Sequence, residues 1–217
     1  TALAYQPGLH GPFVFDDLHN IRNNESLEIH KLDLQSLATA AFSRGSGVST
    51  RPLSMVSFAL NYYAGGFATF NFKLTNLVIH LLTGLCLLVL SRQLLMAYRA
   101  RWQPLLTDWH IRLLSFTVAA AWLLHPVNLT SVLYVVQRMN ELAALLTCIG
   151  LILYLWGRAR LDQGAAGPAA VVLSLAVFTP LALLAKENGA LLPLYAFVIE
   201  LCLFRFQAAT SGRRRLL

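Results

Sequence analysis

Two adjacent carboxylates, Asp16 and Asp17, follow an aromatic patch in FVFDDLHNIRNN. A carboxylate held by rigid neighbours beside a hydroxyl can act as a general base. In extended backbone, successive side chains point to opposite faces, so both acids would not reach one atom. One of them then does chemistry while the other caps the following turn, or both are plain turn residues. Four clusters qualify along the chain: Asp16–Asp17, Arg51 with Tyr62 and Tyr63, His125 with Arg138 and Glu141, and Lys186 with Glu187. Acids and bases gathered at one membrane face suit work on a phosphate-bearing lipid, with cations holding the phosphate and an acid accepting a proton. Each cluster also has a plainer reading. Arg138 and Glu141, three apart on a helix, can form an intrahelical pair. His125 before Pro126 can end a helix, and Lys186–Glu187 can be a hydrophilic turn. His80, inside an apolar run, suits a hydrogen bond to a neighbouring helix, and Glu200 suits pairing or snorkelling. The two acids could help hold a divalent cation (Mg or Mn), but no full oxygen coordination set is visible, so no metal ligands are assigned.

These residues are embedded in a chain with 57% hydrophobic and only 12% charged residues. A soluble domain carries about twice that share of charge. Five long apolar runs predict an all-α, polytopic helical membrane protein, since roughly 20 helical residues cross a bilayer. The expected spans are 72–97, 111–125, 129–157, 168–185 and 189–205, within a bundle over 72–206. Placing the segment before Leu74 outside puts Arg92, Arg99, Arg101, Arg112, Arg158, Arg160, Arg205 and the Arg213–Arg215 run inside, as the positive-inside rule requires. The net charge of +7 is thus a matter of topology, and nucleic acid is excluded as a partner. All four clusters then share the outer face. Residues 1–71 form an outer loop, and 207–217 a basic cytoplasmic tail. Within the loop, DLQSLATAAF has apolar residues at helical spacing and reads as a short amphipathic helix on the membrane surface. Pro52 suits a first helical turn, and Gly65–Gly66 a stop. Cys86, Cys148 and Cys202 sit in apolar runs without CxxC spacing and read as small hydrophobes. The chain opens at Thr1 in mid-phrase, which suggests a fragment of a longer protein with an earlier membrane helix.

Four stretches occur in order: FVFDD, then RPLSMVSFALNYYAGGFATFNFKLTNLVIHLL, then LLHPVNLTSVLYVVQRMNELAALL, then LLAKENGALLPLYAFVIELCLF. Together they resemble the membrane domain of the transmembrane-and-tetratricopeptide-repeat O-mannosyltransferases and their bacterial relatives, over nearly the whole chain. The resemblance implies a GT-C glycosyltransferase fold and a sugar donor carried on polyprenyl or dolichyl phosphate, with a protein or glycan acceptor. It implies that one of Asp16 and Asp17 is the catalytic base. The family's RPL segment falls on Arg51–Pro52–Leu53, its HP-x-x-T segment on His125, Pro126 and Thr130, and its QR–NE stretch on Arg138 and Glu141. Its KE turn falls on Lys186–Glu187. By this implication Arg51, His125, Arg138 and Lys186 face the carrier phosphate, with Glu141, Glu187 and Tyr62 in support. The family also carries further membrane helices and tetratricopeptide repeats, which this chain lacks. The arginine-heavy composition favours a bacterial inner membrane with the site towards the periplasm, the alternative being the endoplasmic reticulum membrane. Two other classes stay open. A non-catalytic scaffold would leave the acids and bases apart, with Asp16 and Asp17 in solvent. A lipid-linked sugar transporter would line a path through the bundle with its charges.

Overall fold

The computed structural model describes residues 1–43 and 50–207. The Arg213–Arg215 run and all but the first residue of the expected basic tail lie outside the described residues. The outer segment opens with a helical turn, α1 (Ala2–Tyr5), and continues as irregular chain through short turns at Leu18–Arg22 and Glu25–Leu27 to α2 (Leu34–Ala41). Asp33 caps α2 through its side chain, which accepts from the Ser36 amide at 2.7 Å. Helix α3 (Pro52–Gly65) begins on proline and ends where Gly66 adopts φ +59°. That left-handed conformation carries no Cβ penalty only for glycine.

Long helices follow. Helix α4 (Thr69–Arg101) packs along α5 (Asp108–Leu123) and along α7 (Arg138–Arg158), and so forms the axis of the bundle. Two composite spans complete it. Ala166–Ala185 joins α8 (Ala166–Leu173) to α9 (Thr179–Ala185), and Glu187–Phe204 contains α10 (Leu192–Ile199). By length and apolar composition four helices can cross a membrane, or five if the bent pair Asp108–Leu123 and Pro126–Leu133 counts as one span. No β-strand occurs among the described residues. The architecture is that of an all-α polytopic membrane protein. Gly189 sits against the Ala182–Leu183 backbone with no room for a Cβ, which permits the tight turn between the last two spans.

The expected single helix over 129–157 is broken. Helix α6 (Leu129–Leu133) ends at Tyr134, whose backbone is extended at φ −98° and ψ 106°, and the chain re-enters helix at Val135. No proline or glycine marks the break; partners from elsewhere hold it open, as described below. Cys202 is exposed on the last span, while Cys86 and Cys148 are half-buried; all three thiols are free.

At the opposite end of the bundle, Arg158 and Glu200 form a buried pair, Nε to Oε1 at 2.6 Å, with the Tyr154 hydroxyl donating to the same carboxylate oxygen at 2.9 Å. Arg158 also donates to the Gln207 carbonyl at 2.7 Å. Removing one partner of such a pair leaves an uncompensated buried charge, at a cost of about 3–5 kcal/mol. Glu200→Leu is therefore expected to lower the thermal midpoint in detergent sharply. The double replacement Arg158→Met/Glu200→Leu is expected to recover most of that loss.

Candidate functional site

The two aspartates have opposite environments. Asp17 is fully buried. Its carboxylate accepts from Val136 N–H at 2.7 Å, Val135 N–H at 3.3 Å and Val14 N–H at 3.2 Å. It thus caps the N-terminus of the span Val135–Arg158, where the helix dipole favours an anion. Burial raises its pKa above the ordinary carboxylate value, while the three N–H donors and the Lys73 ammonium pull the other way. Asp16 is exposed, and its own N–H donates to the Tyr134 hydroxyl at 3.0 Å. Phe15, just before it, holds φ +47°, uncommon for a residue with a side chain. The two carboxylates therefore face different ways and offer no joint chelate. Among the described residues no group of three or more His, Cys, Asp or Glu is gathered to hold a metal ion.

The remaining residues fall into an exposed group and an interior group. Arg51, at the start of α3, reaches across to the turn after α9. Its Nε lies 3.1 Å from Glu187 Oε1, and its Nη1 lies 3.1 Å from Met139 Sδ. Ser54 Oγ ties the same two elements by donating to the Ala185 carbonyl at 2.9 Å. Lys186 lies in this turn, half-buried. Burial and the nearby Arg51 lower its pKa below the ordinary lysine value, and Glu187 counters them. Tyr62, expected beside Arg51, lies three turns along α3, about 16 Å away at the helical rise of 1.5 Å per residue. Its hydroxyl donates instead to Glu28 Oε2 at 3.1 Å. His125 is exposed at the end of α5, and its Nδ1 accepts from Val127 N–H at 3.2 Å, capping the turn that follows.

Arg138, expected at the carrier phosphate, points inward and has no exposed surface. Its guanidinium donates to Asn76 Oδ1 at 2.8 Å, the Phe72 carbonyl at 2.8 Å and the Ser57 carbonyl at 3.1 Å. It also lies over the Phe58 and Phe72 rings. Three helices are joined through one planar cation, which a lysine cannot reproduce. Glu141 is buried as well and faces His80 rather than Arg138, Oε1 to Nδ1 at 3.6 Å. His80 Nε2 donates to the Leu123 carbonyl at 3.1 Å, the neighbour-helix bond that its position in the sequence suggests.

Sequence reading passed over Asn76 and gave Tyr134 no role. Asn76 Nδ2 reaches the carbonyls of Val132, Tyr134 and Val135 at 3.3, 3.5 and 3.3 Å, so the orphan acceptors of the break are met from α4. An asparagine in the middle of an apolar run is the signal that could have flagged it. Between the FDD loop and α6 lies a cavity of about 270 Å³, walled by Pro12, Val14, Leu129, Leu133 and Tyr134, with Thr130 among the polar lining.

A helical bundle with a broken span, its gap filled by an outer loop, is the class of protein defined here: an integral membrane protein with a polar site at one end. Over 203 residues the chain is 30% identical to protein O-mannosyl-transferase TMTC1 of Mus musculus, a match covering 87% of this chain and 20% of that protein. It is 29% identical to protein O-mannosyl-transferase TMTC4 of Homo sapiens, over 82% of this chain and 25% of that one. Protein O-mannosyl-transferase F38B6.6 of Caenorhabditis elegans matches at 26%, over 73% and 22%. The chain is thus TMTC-like over most of its length, and spans about a fifth of the curated relatives it matches. No protein-family model and no solved structure matches it.

Two outcomes are expected from the interior anchors. Asp17→Ala orphans the buried Val135 and Val136 amides, at about 1–3 kcal/mol each. Asp17→Asn, which keeps one acceptor oxygen, is expected to lose less. Arg138→Lys is expected to fall below wild type in both folded yield and thermal midpoint, because a point charge serves one helix instead of three. Thermal unfolding of purified protein in detergent checks both.

Proposed function

We propose that this chain is the membrane core of a glycosyltransferase that takes a sugar from a polyprenyl- or dolichyl-phosphate carrier and passes it to a protein hydroxyl. The carrying observation is the division of labour at the FDD loop: Asp17 is consumed in the fold, and Asp16 stands exposed on a fixed backbone. Names of relatives matched over most of the chain support the same reaction. In this reading Asp16 takes the proton from the acceptor hydroxyl. The acceptor oxygen bonds to the anomeric carbon as the bond from that carbon to the phosphate oxygen breaks. Polyprenyl phosphate leaves with the bonding electrons.

Lys186 and Arg51 are the cations placed for that leaving phosphate. Lys186 is half-desolvated, and no hydrogen bond or ion pair engages its ammonium among the described residues, so an incoming phosphate would find it available. Arg138 is already committed to three helices and is given a supporting role, as is Glu141. Asp17 and Arg51 both contact the start of the span Val135–Arg158, at Val136 and Met139, and Arg158 lies at its other end, which supports a shared end for the FDD loop and the Arg51–Glu187 pair. With the basic end inside, that end faces the periplasm of a bacterial inner membrane, or equivalently the lumen of the endoplasmic reticulum.

The test is transfer of labelled mannose from polyprenyl-phosphate mannose to a Ser/Thr-rich peptide by the membrane-embedded protein. Asp16→Asn is expected to lower turnover by about 10²–10⁴-fold, the usual share of a general base, with little change in thermal midpoint. Lys186→Met is expected to raise the KM for the carrier as well as lower kcat. Full turnover by Asp16→Asn would sink the assignment.

A further inference from the structure

The Asp16 backbone is held by a residue 118 positions away. Its N–H donates to the Tyr134 hydroxyl at 3.0 Å, which occupies a lone pair and leaves the phenolic proton to be given. Burial chiefly keeps the phenol above its ordinary pKa, against the opposing pull of the Asp16 N–H, so it remains protonated.

Tyr134 is itself immobilised. The two amides after it, Val135 and Val136, are bonded to Asp17. Its own carbonyl lies 3.5 Å from Asn76 Nδ2. Adjacent aspartates therefore hold adjacent residues of the break, and Tyr134 returns the grip on Asp16. The Phe15 ring stands edge-on to the Tyr134 ring at 6.4 Å, with Phe15 in the left-handed region. A side-chain-bearing residue keeps such a conformation only where its surroundings over-determine it. An exposed loop would otherwise relax out of it.

We propose that Tyr134 is a positioning residue, whose hydroxyl accepts from the Asp16 N–H and so fixes the backbone that presents the Asp16 carboxylate, next to the cavity that Tyr134 itself lines. The inference rests on the reading of Asp16 as the proton acceptor. Tyr134 does not touch the reacting atoms; it acts through Asp16.

The decisive variant is Tyr134→Phe, which keeps the ring and removes only the hydroxyl. In the mannose-transfer assay its kcat is expected to fall about 10–100-fold, with the KM for polyprenyl-phosphate mannose unchanged. In the background of Asp16→Asn the same change is expected to do nothing further, because a residue acting through Asp16 has nothing left to position. Amide exchange in a peptide covering residues 13–18 is expected to speed up in Tyr134→Phe and not elsewhere in the bundle. Wild-type kcat in Tyr134→Phe, while Asp16→Asn is inactive, would overturn the positioning role and leave the base assignment standing. A further drop in the double variant would overturn it too, since Tyr134 would then act independently. Failure of Tyr134→Phe to fold would mark the hydroxyl as a strut of the fold and would likewise overturn it. Full activity in Asp16→Asn would remove the base assignment and this inference together, whereas the exchange measurement reads the latch by itself.

Discussion

A helix interrupted inside an apolar bundle leaves backbone donors and acceptors that no lipid can satisfy. The structure meets that constraint at the Tyr134 break from two directions. Asp17, from the outer loop, takes the Val135 and Val136 amides, and Asn76, from α4, takes carbonyls on both sides. Everything of functional interest hangs on these bonds. They fix the start of α7, which places Arg138 between Asn76, Phe72 and Ser57. They hold Met139 where Arg51 can reach it. They also seat the FDD loop so that its other aspartate faces outward.

The charged contacts differ in weight. Arg51–Glu187 is an exposed pair, worth about 0–1 kcal/mol, and can yield to a competing anion. Arg158–Glu200 is desolvated on both sides and cannot be parted cheaply. The bundle therefore has a stiff polar joint at one end and a loose, exchangeable ion cluster at the other. A ligand-handling end would have the second character.

Much of the local structure was legible. Apolar residues at helical spacing marked α2, Pro52 and Gly65–Gly66 bracketed α3, and the apolar runs marked the bundle. The extended backbone assumed for the two aspartates does not form: both are helical, Asp17 at φ −58° and ψ −38°, and their environments differ because Asp17 is drawn onto the Val135 and Val136 amides. Which of the two would be buried could not be read, because burial of Asp17 depends on a segment more than a hundred residues away. The break at Tyr134 was invisible for the same reason: LTSVLYVVQRMN contains no helix breaker, and its interruption is imposed by Asp17 and Asn76. Arg138 looked available because composition places a cation near a membrane face without saying which way its side chain turns. Arg51 and Glu187 are 136 residues apart, beyond any spacing argument. Tyr62 lay on the correct helix at the wrong end.

Mutual holding of the FDD loop and the Tyr134 break, Asp17 on the Val135 and Val136 amides and Tyr134 on the Asp16 amide, also bears on biosynthesis. The outer loop is made first, with its aspartates lacking their partners. The segment from Leu129 to Arg158 follows, and by its own propensity it is a single unbroken rod. Such a rod satisfies its own amides and can enter the bilayer straight. Substitutes for the helical bonds given up at Tyr134 come from two separate elements, Asp17 of the loop and Asn76 of α4, so the break needs both in place.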